Sequence, residues 1–112
     1  MMNTSTIGFA LALAVAAPAL PAHAASPDAG KAKAQEICQA CHGLDGQSAA
    51  SPEYPRIGGQ YRDYLAKALR DYKSGARKNP IMAGMAAPLT PTDIDNLAAY
   101  YAAQPSSLAT RY

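Results

Sequence analysis

The sequence of 112 residues is poor in the large aromatic side chains that usually fill a core, with no tryptophan and one phenylalanine, at position 9. It has only two cysteines, which excludes a framework of several disulfides. The length is enough for one domain. Because so small a domain builds only a marginal core from side chains, it commonly relies on a metal, a disulfide or a cofactor. We therefore expect something other than aromatic residues to complete the core.

A strong excess of one charge is also missing, since ten basic and eight acidic residues leave a net charge of +2. No basic stripe suited to nucleic acid is visible, and no acidic tail. No catalytic triad, carboxylate pair or phosphate-binding loop is recognisable, so we expect neither a nucleic-acid partner nor an enzyme. Six of the basic residues form either a solvated face or a docking patch for a partner: Arg62, Lys67, Arg70, Lys73, Arg77 and Lys78.

The beginning of the sequence has the layout of a secretory signal peptide. An uncharged apolar run at 7–17, IGFALALAVAA, is followed by prolines and by the cleavage-type segment AHA at 22–24. The run is shorter than the roughly 20 residues that a membrane-spanning helix needs. We predict that residues 1–24 are removed and that residues 25–112 form one periplasmic domain with no stable membrane insertion. The alternative is that the segment stays as a membrane anchor.

The sequence lacks the alternation of apolar and polar residues that is typical of a half-buried strand, and its apolar residues instead recur at helical intervals. A first helix is predicted to begin after Ser26, a capping residue followed by proline, and to end at Gly43. A second helix is predicted over residues 60–75, because its apolar residues recur at helical intervals on one face. These residues are Tyr61, Tyr64, Leu65, Ala68, Leu69 and Tyr72.

A third helix is predicted from Thr90, a capping residue followed by proline, with Asp93 placed for a capping box. Pro105 ends this helix. Glycine and proline residues predict loops over 43–59 and 76–90. The fold class predicted is therefore all-α, with three main helices.

Residues 38–43 read CQACHG and bring Cys38, Cys41 and His42 close together in the sequence. A disulfide between residues three apart would close a very short loop and constrain the unfolded chain little. A thioredoxin-like redox pair belongs at a strand-to-helix turn, and this sequence shows no strands. A closed zinc site needs four ligands, and removal of His23 with the signal peptide leaves these three, so a fourth would have to be a carboxylate or a residue of a partner.

A fourth interpretation uses all three residues, because C-x-x-C-H is the attachment motif of c-type haem. On one helical turn, Cys38, Cys41 and His42 face the same side. The two thiols can form thioethers with the two vinyl groups of the porphyrin, while the imidazole reaches the iron. We therefore predict one covalently attached haem c with His42 as an iron ligand, and its apolar ring would complete the core.

Four further segments, together with this motif, resemble class I c-type cytochromes over about residues 28–104. They are YPRIGGQ at 54–60, YLAKALRDYKSGAR at 64–77, MAGMAAPLT at 82–90 and DIDNLAAYYAAQ at 93–104. The sequence is most similar to the small bacterial periplasmic monohaem type, and to one domain of the tandem dihaem cytochromes c. The resemblance implies a cytochrome c fold, in which three main helices and their loops wrap around the covalently bound haem.

The resemblance also implies supporting residues and a second iron ligand. Pro55 corresponds to the family proline whose backbone carbonyl accepts a hydrogen bond from the iron-binding imidazole. After removal of the signal peptide, Met82 and Met85 are the remaining methionines, and their spacing alone does not choose between them. The family pattern favours Met82 as the axial ligand and Met85 as a core residue.

By resemblance, the protein is expected to be an electron carrier. Histidine and methionine would fill both axial positions of the iron, and the sulfur ligand raises the reduction potential. A monomer would then shuttle single electrons between redox proteins, such as membrane-bound or periplasmic oxidases and reductases. One alternative is a haem c subunit of a periplasmic dehydrogenase or sulfur-oxidising enzyme complex. Another is a gas-binding or peroxide-reactive haem protein with an open sixth position.

Overall fold

All regular structure in the computed structural model is helical over the residues that it describes, 12–19 and 23–106. This confirms the all-α prediction. The helices are α1 (Pro27–Ile37), α2 (Gln39–His42), α3 (Arg62–Ser74), α4 (Pro80–Ala86) and α5 (Pro91–Ala102).

Most of the predicted signal peptide, residues 1–11 and 20–22, lies outside the described residues, as do residues 107–112. Its described part, 12–19, has no regular structure and leaves Leu13 and Val15 exposed, so it adds nothing to the core. Among the described residues, no helix combines the length and the apolar character needed to cross a membrane.

The first and last helices cross in close contact. Ser26 caps α1 as predicted, since its Oγ accepts a hydrogen bond from the Ala29 N–H at 3.2 Å. The Ser26 backbone N–H donates to Oδ1 of the buried Asn96 on α5, at 2.7 Å. At Gly30 a β-carbon would lie 2.0 Å from the Asn96 carbonyl oxygen, so only glycine allows the two backbones to approach this closely.

The core is built mainly on α5, which packs against both α1 and α3. The predicted capping box is present at its start, because Thr90 Oγ1 accepts from the Asp93 N–H at 3.0 Å and the Asp93 carboxylate accepts from the Thr90 N–H at 2.9 Å. One face of the helix then supplies five buried apolar residues: Ile94, Leu97, Ala98, Tyr100 and Tyr101.

The second predicted helix is present as α3, and Gly75 ends it. Its buried side differs from the predicted face. Leu65 and Ala66 are buried, whereas Tyr61 and Tyr64 are 63% and 50% exposed. Leu69 and Tyr72 of the predicted face pack against the core, so the face is buried in part, and Tyr61 and Tyr64 lie outside its buried part.

The segment 76–90 is not a continuous loop as predicted, because it contains α4. The Asn79 side-chain oxygen accepts hydrogen bonds from the Ile81 and Met82 N–H groups, both at 3.0 Å, and Pro80 occupies the first helical position. Asparagine followed by proline is a strong start signal, and the alanines and methionines that follow favour a helix. These local preferences outweigh the glycine at position 84, which the prediction treated as a breaker.

Candidate cofactor site around Cys38, Cys41 and His42

The CQACH motif lies on a short helical turn directly after α1. The first predicted helix is interrupted at Cys38, where α1 ends, and α2 then carries the rest of the motif. The Cys38 carbonyl oxygen accepts hydrogen bonds from the N–H groups of Cys41 at 3.3 Å and His42 at 3.0 Å. Because residues three and four apart share one side of a helical turn, this geometry groups the two thiols and the imidazole.

Both cysteines are half-buried and neither is joined in a disulfide. Burial raises the pKa of the Cys38 thiol to about 11, so this thiol is protonated at neutral pH. The thiol of a thioredoxin-like pair is instead activated by a lowered pKa. Within residues 12–19 and 23–106, no group of three histidine, cysteine or acidic side chains is arranged to hold a metal ion. Within these ranges, the side chains thus give the zinc interpretation no support.

The His42 imidazole is 8% exposed and has a fixed orientation. Its Nδ1 lies 2.8 Å from the Pro55 carbonyl oxygen. Because a carbonyl can only accept, Nδ1 must carry the hydrogen and donate it. The lone pair of a neutral imidazole then lies on Nε2, which is the nitrogen left for a metal.

The loop that carries Pro55 is held by backbone bonds around Gly46. The Gly46 carbonyl accepts from the N–H groups of Ile57 at 2.8 Å and Gly58 at 3.1 Å. The Gln47 side-chain amide donates to the Gly58 carbonyl at 2.8 Å. Gly46 has a φ of 70°, and a β-carbon there would lie 2.4 Å from the Gly58 nitrogen. The position of the Pro55 carbonyl thus depends on Gly46 and on the side-chain amide of Gln47, both within ten residues of it in the sequence.

Two neighbouring tyrosines of α5 tie this region to the core. The Tyr101 hydroxyl donates to the Gly43 carbonyl at 3.2 Å, and the Tyr100 hydroxyl donates to the Leu44 carbonyl at 2.8 Å. Burial raises the pKa of both hydroxyls, so they remain protonated donors. The carbonyls that directly follow His42 are therefore anchored to the C-terminal helix.

The sequence analysis missed several residues that hold the loop after His42 or the crossing of α1 and α5. The Asp45 carboxylate accepts hydrogen bonds from the Ser48 N–H at 2.9 Å and the Gln47 N–H at 2.8 Å, which lower the pKa of Asp45. This aspartate within a glycine-rich loop was a recognisable turn signal. Asn96 had a weaker signal, as a polar residue among the apolar positions of α5. Tyr100 and Tyr101 had none that distinguished them from ordinary core residues.

Met82 and Met85 have different surroundings on α4. The half-buried side of this helix carries Met82 and Ala83, together with the fully buried Ala86. Met85 lies on the other side with Ile81 and is 43% exposed, so the prediction of a core role for Met85 was wrong. The Lys73 ammonium of α3 donates to the Ala87 carbonyl at 2.6 Å and holds the end of α4 against α3.

The donor set fits a covalently attached haem of the c type. Two unpaired thiols and an imidazole with a free Nε2 share one helical turn. Met82 supplies a half-buried thioether on a separate helix. Addition to the vinyl groups of a haem needs reduced, free thiols, and an iron ligand needs an imidazole whose orientation is fixed. Each of these requirements matches a residue described above, which defines the class of protein as c-type cytochromes.

Comparison with known proteins agrees with this assignment. Residues 27–103 match the family model of cytochrome c, so the chain belongs to the cytochrome c family, whose members carry covalent haem c. The resemblance inferred from the sequence motifs is therefore confirmed.

Three relatives illustrate the similarity. A cytochrome c4 of Thiocapsa roseopersicina is 47% identical over 81 residues, which cover 72% of this chain and 41% of that protein. A thiosulfate dehydrogenase electron acceptor of Thiomonas intermedia (strain K12) is 42% identical over 101 residues, covering 90% of this chain and 42% of the relative. The crystal structure of reduced recombinant cytochrome c4 from Pseudomonas stutzeri superposes with a TM-score of 0.68 at 38% identity, covering 75% of this chain and 48% of that one. The chain thus spans about half the length of the curated relatives that it matches.

Proposed function

We propose that this protein is a periplasmic monohaem electron carrier, in which Cys38 and Cys41 hold one haem c and His42 and Met82 are the axial ligands. The observation that carries the proposal is the buried His42, whose Nδ1 donates to the Pro55 carbonyl at 2.8 Å directly after two free cysteines. This bond sets the tautomer that binds iron through Nε2.

Each residue of the site has a distinct task in this function. The two cysteine sulfurs would hold the cofactor covalently, so that it could not dissociate from the chain. The bound haem supplies an iron that takes up and releases one electron. The Pro55 carbonyl makes the His42 imidazole a more basic ligand and prevents its ring from turning.

The thioether of Met82 would occupy the sixth coordination position. A sulfur ligand favours ferrous iron and raises the reduction potential. With both axial positions filled by side chains, the site offers no open position for substrate, oxygen or carbon monoxide. This favours electron transfer over gas binding or peroxide chemistry, and it fits the family of electron carriers to which the chain belongs.

Spectroscopic redox titration of the purified protein tests the proposal. We expect a single reversible transition of one electron, and poor binding of carbon monoxide by the reduced protein at neutral pH. Rapid and tight binding of carbon monoxide would show an open sixth position, and would replace the carrier with a gas-binding haem protein.

A second candidate is an electron acceptor for a thiosulfate-oxidising enzyme. The observation in its favour is the similarity to the thiosulfate dehydrogenase electron acceptor of Thiomonas intermedia, which extends over nearly the whole of this chain. We expect thiosulfate and a purified thiosulfate dehydrogenase to reduce the protein if this is its role. Co-elution of the two proteins would indicate a subunit, whereas reduction without co-elution would indicate a mobile carrier. Absence of both would leave the general carrier function.

A further inference from the structure

Tyr101 of α5 contacts the chain on both sides of His42. Its side chain is 3% exposed, and its hydroxyl donates to the carbonyl of Gly43, the residue directly after the histidine, at 3.2 Å. Burial raises the pKa of the Cys38 thiol, and hydrogen bonding from the Tyr101 hydroxyl opposes part of that rise, so the hydroxyl lies beside the sulfur. One buried hydroxyl thus reaches both ends of the turn that carries the motif.

The position of this hydroxyl is fixed from several directions. The Tyr101 carbonyl accepts from the Gly59 N–H at 2.8 Å. A β-carbon on Gly46 would lie 3.0 Å from Cδ1 of the Tyr101 ring, so this glycine lies against the ring. The ring of Tyr100 meets it edge-on, with 5.1 Å between the ring centres. Because both glycines belong to the loop that carries Pro55, the tyrosine is coupled to that loop as well as to the motif.

The Gly43 carbonyl does not depend on the Tyr101 hydroxyl alone. It also accepts from the Gly46 N–H at 3.2 Å, and a carbonyl oxygen has two lone pairs, so it can accept both bonds. Removal of the hydroxyl would therefore leave this carbonyl with a donor. The sulfur of Cys38 is the other group beside the hydroxyl, and it is the group through which Tyr101 can influence the cofactor.

Attachment of a haem would change what the sulfur of Cys38 can do. The thiol adds across the double bond of a vinyl group: the sulfur bonds to one vinyl carbon, the thiol hydrogen goes to the other, and no oxidant or reductant is consumed. The resulting thioether sulfur carries no hydrogen, so it can only accept a hydrogen bond. The Tyr101 hydroxyl is a donor placed beside this sulfur.

We propose that Tyr101 is a positioning residue of the cofactor site, whose hydroxyl shares its hydrogen between the Gly43 carbonyl and the thioether sulfur of Cys38. Such three-centre bonds are common in proteins. The inference rests on the proposed haem attachment. A donor to a sulfur that is bonded to the macrocycle withdraws electron density from it, and hydrogen bonds around a haem are one of the ways in which a protein sets the reduction potential. The Tyr101 hydroxyl therefore favours ferrous iron and raises the potential.

Removal of single hydroxyls from the haem-loaded protein tests this role. Tyr101→Phe keeps the ring and removes the donor. The matched control is Tyr100→Phe, which removes the neighbouring hydroxyl that donates to the Leu44 carbonyl at 2.8 Å. Each variant loses one hydrogen bond to a carbonyl, so both should lower the midpoint of unfolding in urea by similar amounts. In potentiometric titrations, we expect only Tyr101→Phe to lower the reduction potential. Equal shifts in both variants, or no shift in Tyr101→Phe, would overturn the proposal.

Nuclear magnetic resonance of the unmodified ferrous protein gives a second test, which needs neither variant to fold. The Tyr101 hydroxyl is buried and hydrogen-bonded, so its proton should exchange slowly enough to give a separate signal. We expect a nuclear Overhauser effect between this proton and the β-protons of Cys38. Absence of that effect in the haem-loaded protein would overturn the proposal, because the hydroxyl would then not lie at the sulfur.

These measurements separate the role of Tyr101 from the proposed function. Rapid binding of carbon monoxide by the reduced protein would overturn the electron-carrier function. The Overhauser effect and the different potentials of the two variants would still support the positioning role, since attachment at Cys38 does not depend on the sixth ligand. A reversible transition of one electron with two variants of equal potential would instead leave the carrier function intact and overturn the role of Tyr101.

Discussion

His42 and Met82 are held in very different ways. The His42 side chain is buried and hydrogen-bonded to the Pro55 carbonyl. The loop that runs from His42 to Pro55 is held by backbone bonds and, at its start, by the hydroxyls of two tyrosines of α5. Met82 is half-buried on α4, which has seven residues and is held at its start by its own cap and at its end by Lys73.

This difference indicates that the histidine side of the site is supported by more of the fold than the methionine side. A helix of seven residues is unstable alone and depends on packing against α3. The histidine side instead shares its contacts with α1 and α5, which form the centre of the core. Substitutions near the histidine should therefore damage folding, whereas substitutions near the methionine should mainly change the iron.

The largest effect is expected for His42→Ala. It removes the proposed iron ligand and leaves the Pro55 carbonyl without its donor, and His23, the other histidine, lies in the segment that we propose is removed. We expect loss of the native visible spectrum together with most of the helical circular dichroism. Retention of both by the variant would contradict the central place of this residue.

A large effect on stability is expected for Gly30→Ala, which tests the crossing of the helix that leads into the motif. Its β-carbon would lie 2.0 Å from a backbone oxygen of α5, so the helices must separate. We expect unfolding in urea to show a loss of about 3 kcal/mol or more. Ala32→Ser, at an exposed position of the same helix, serves as the control and should cost less than about 1 kcal/mol. Similar losses in both variants would rule out close crossing as the cause.

Met82→Ala and Met85→Ala form a matched pair on the other half of the site. If Met82 is the ligand, its loss should lower the reduction potential and leave the helical fold in place. It should also abolish the weak far-red absorption of the oxidised protein, which arises from a methionine sulfur bound to the iron. Met85 is largely exposed, so its replacement should cost about 1 kcal/mol and leave that absorption in place. The opposite pattern would make Met85 the ligand, and absorption unchanged in both variants would exclude methionine.

The smallest effect concerns the capping box of α5. Hydrogen bonding to the Thr90 backbone N–H lowers the pKa of Asp93. The charged carboxylate therefore adds stability above the ordinary aspartate pKa of about 3.9, and this contribution disappears as the pH falls through the lower folded pKa. We expect Asp93→Asn to cost about 0.5 kcal/mol at neutral pH and nothing near pH 2.

Thr90→Ala is the control for this dependence on pH. It removes the hydroxyl that caps Asp93 but keeps the Thr90 backbone N–H that the carboxylate accepts from. Its cost of about 1 kcal/mol should therefore persist at low pH. A cost of Asp93→Asn that did not vary with pH would mean that the carboxylate has no role in the cap.

The features that were predictable from the sequence are those set by neighbouring residues. Ser26 and Thr90 carry their capping signals within three positions, and Gly75 follows its helix directly. The CQACH motif likewise contains both cysteines and the histidine of the predicted haem attachment within five positions. The Asn79-Pro80 start of α4 was also a local signal, and it was overlooked because the glycine and prolines nearby indicated a loop.

The remaining features depend on partners distant in the chain. The bond between Ser26 and Asn96 joins residues 70 positions apart, and that between Tyr101 and Gly43 joins residues 58 apart. A helical period shows which residues share an apolar face but not how much of that face another helix covers, and Tyr61 is therefore exposed although it lies on the predicted face. Such contacts follow from the tertiary arrangement and not from the local pattern.

The intact mass of the exported protein tests the central claim most directly. Purified from cells with a working haem-attachment system, the protein should have the mass of a chain that begins at Ala25, increased by that of one haem. Its reduced-minus-oxidised spectrum should show the bands of a c-type cytochrome. A mass equal to that of the polypeptide alone, with no such bands, would contradict covalent attachment at Cys38 and Cys41 and the electron-carrier function built on it.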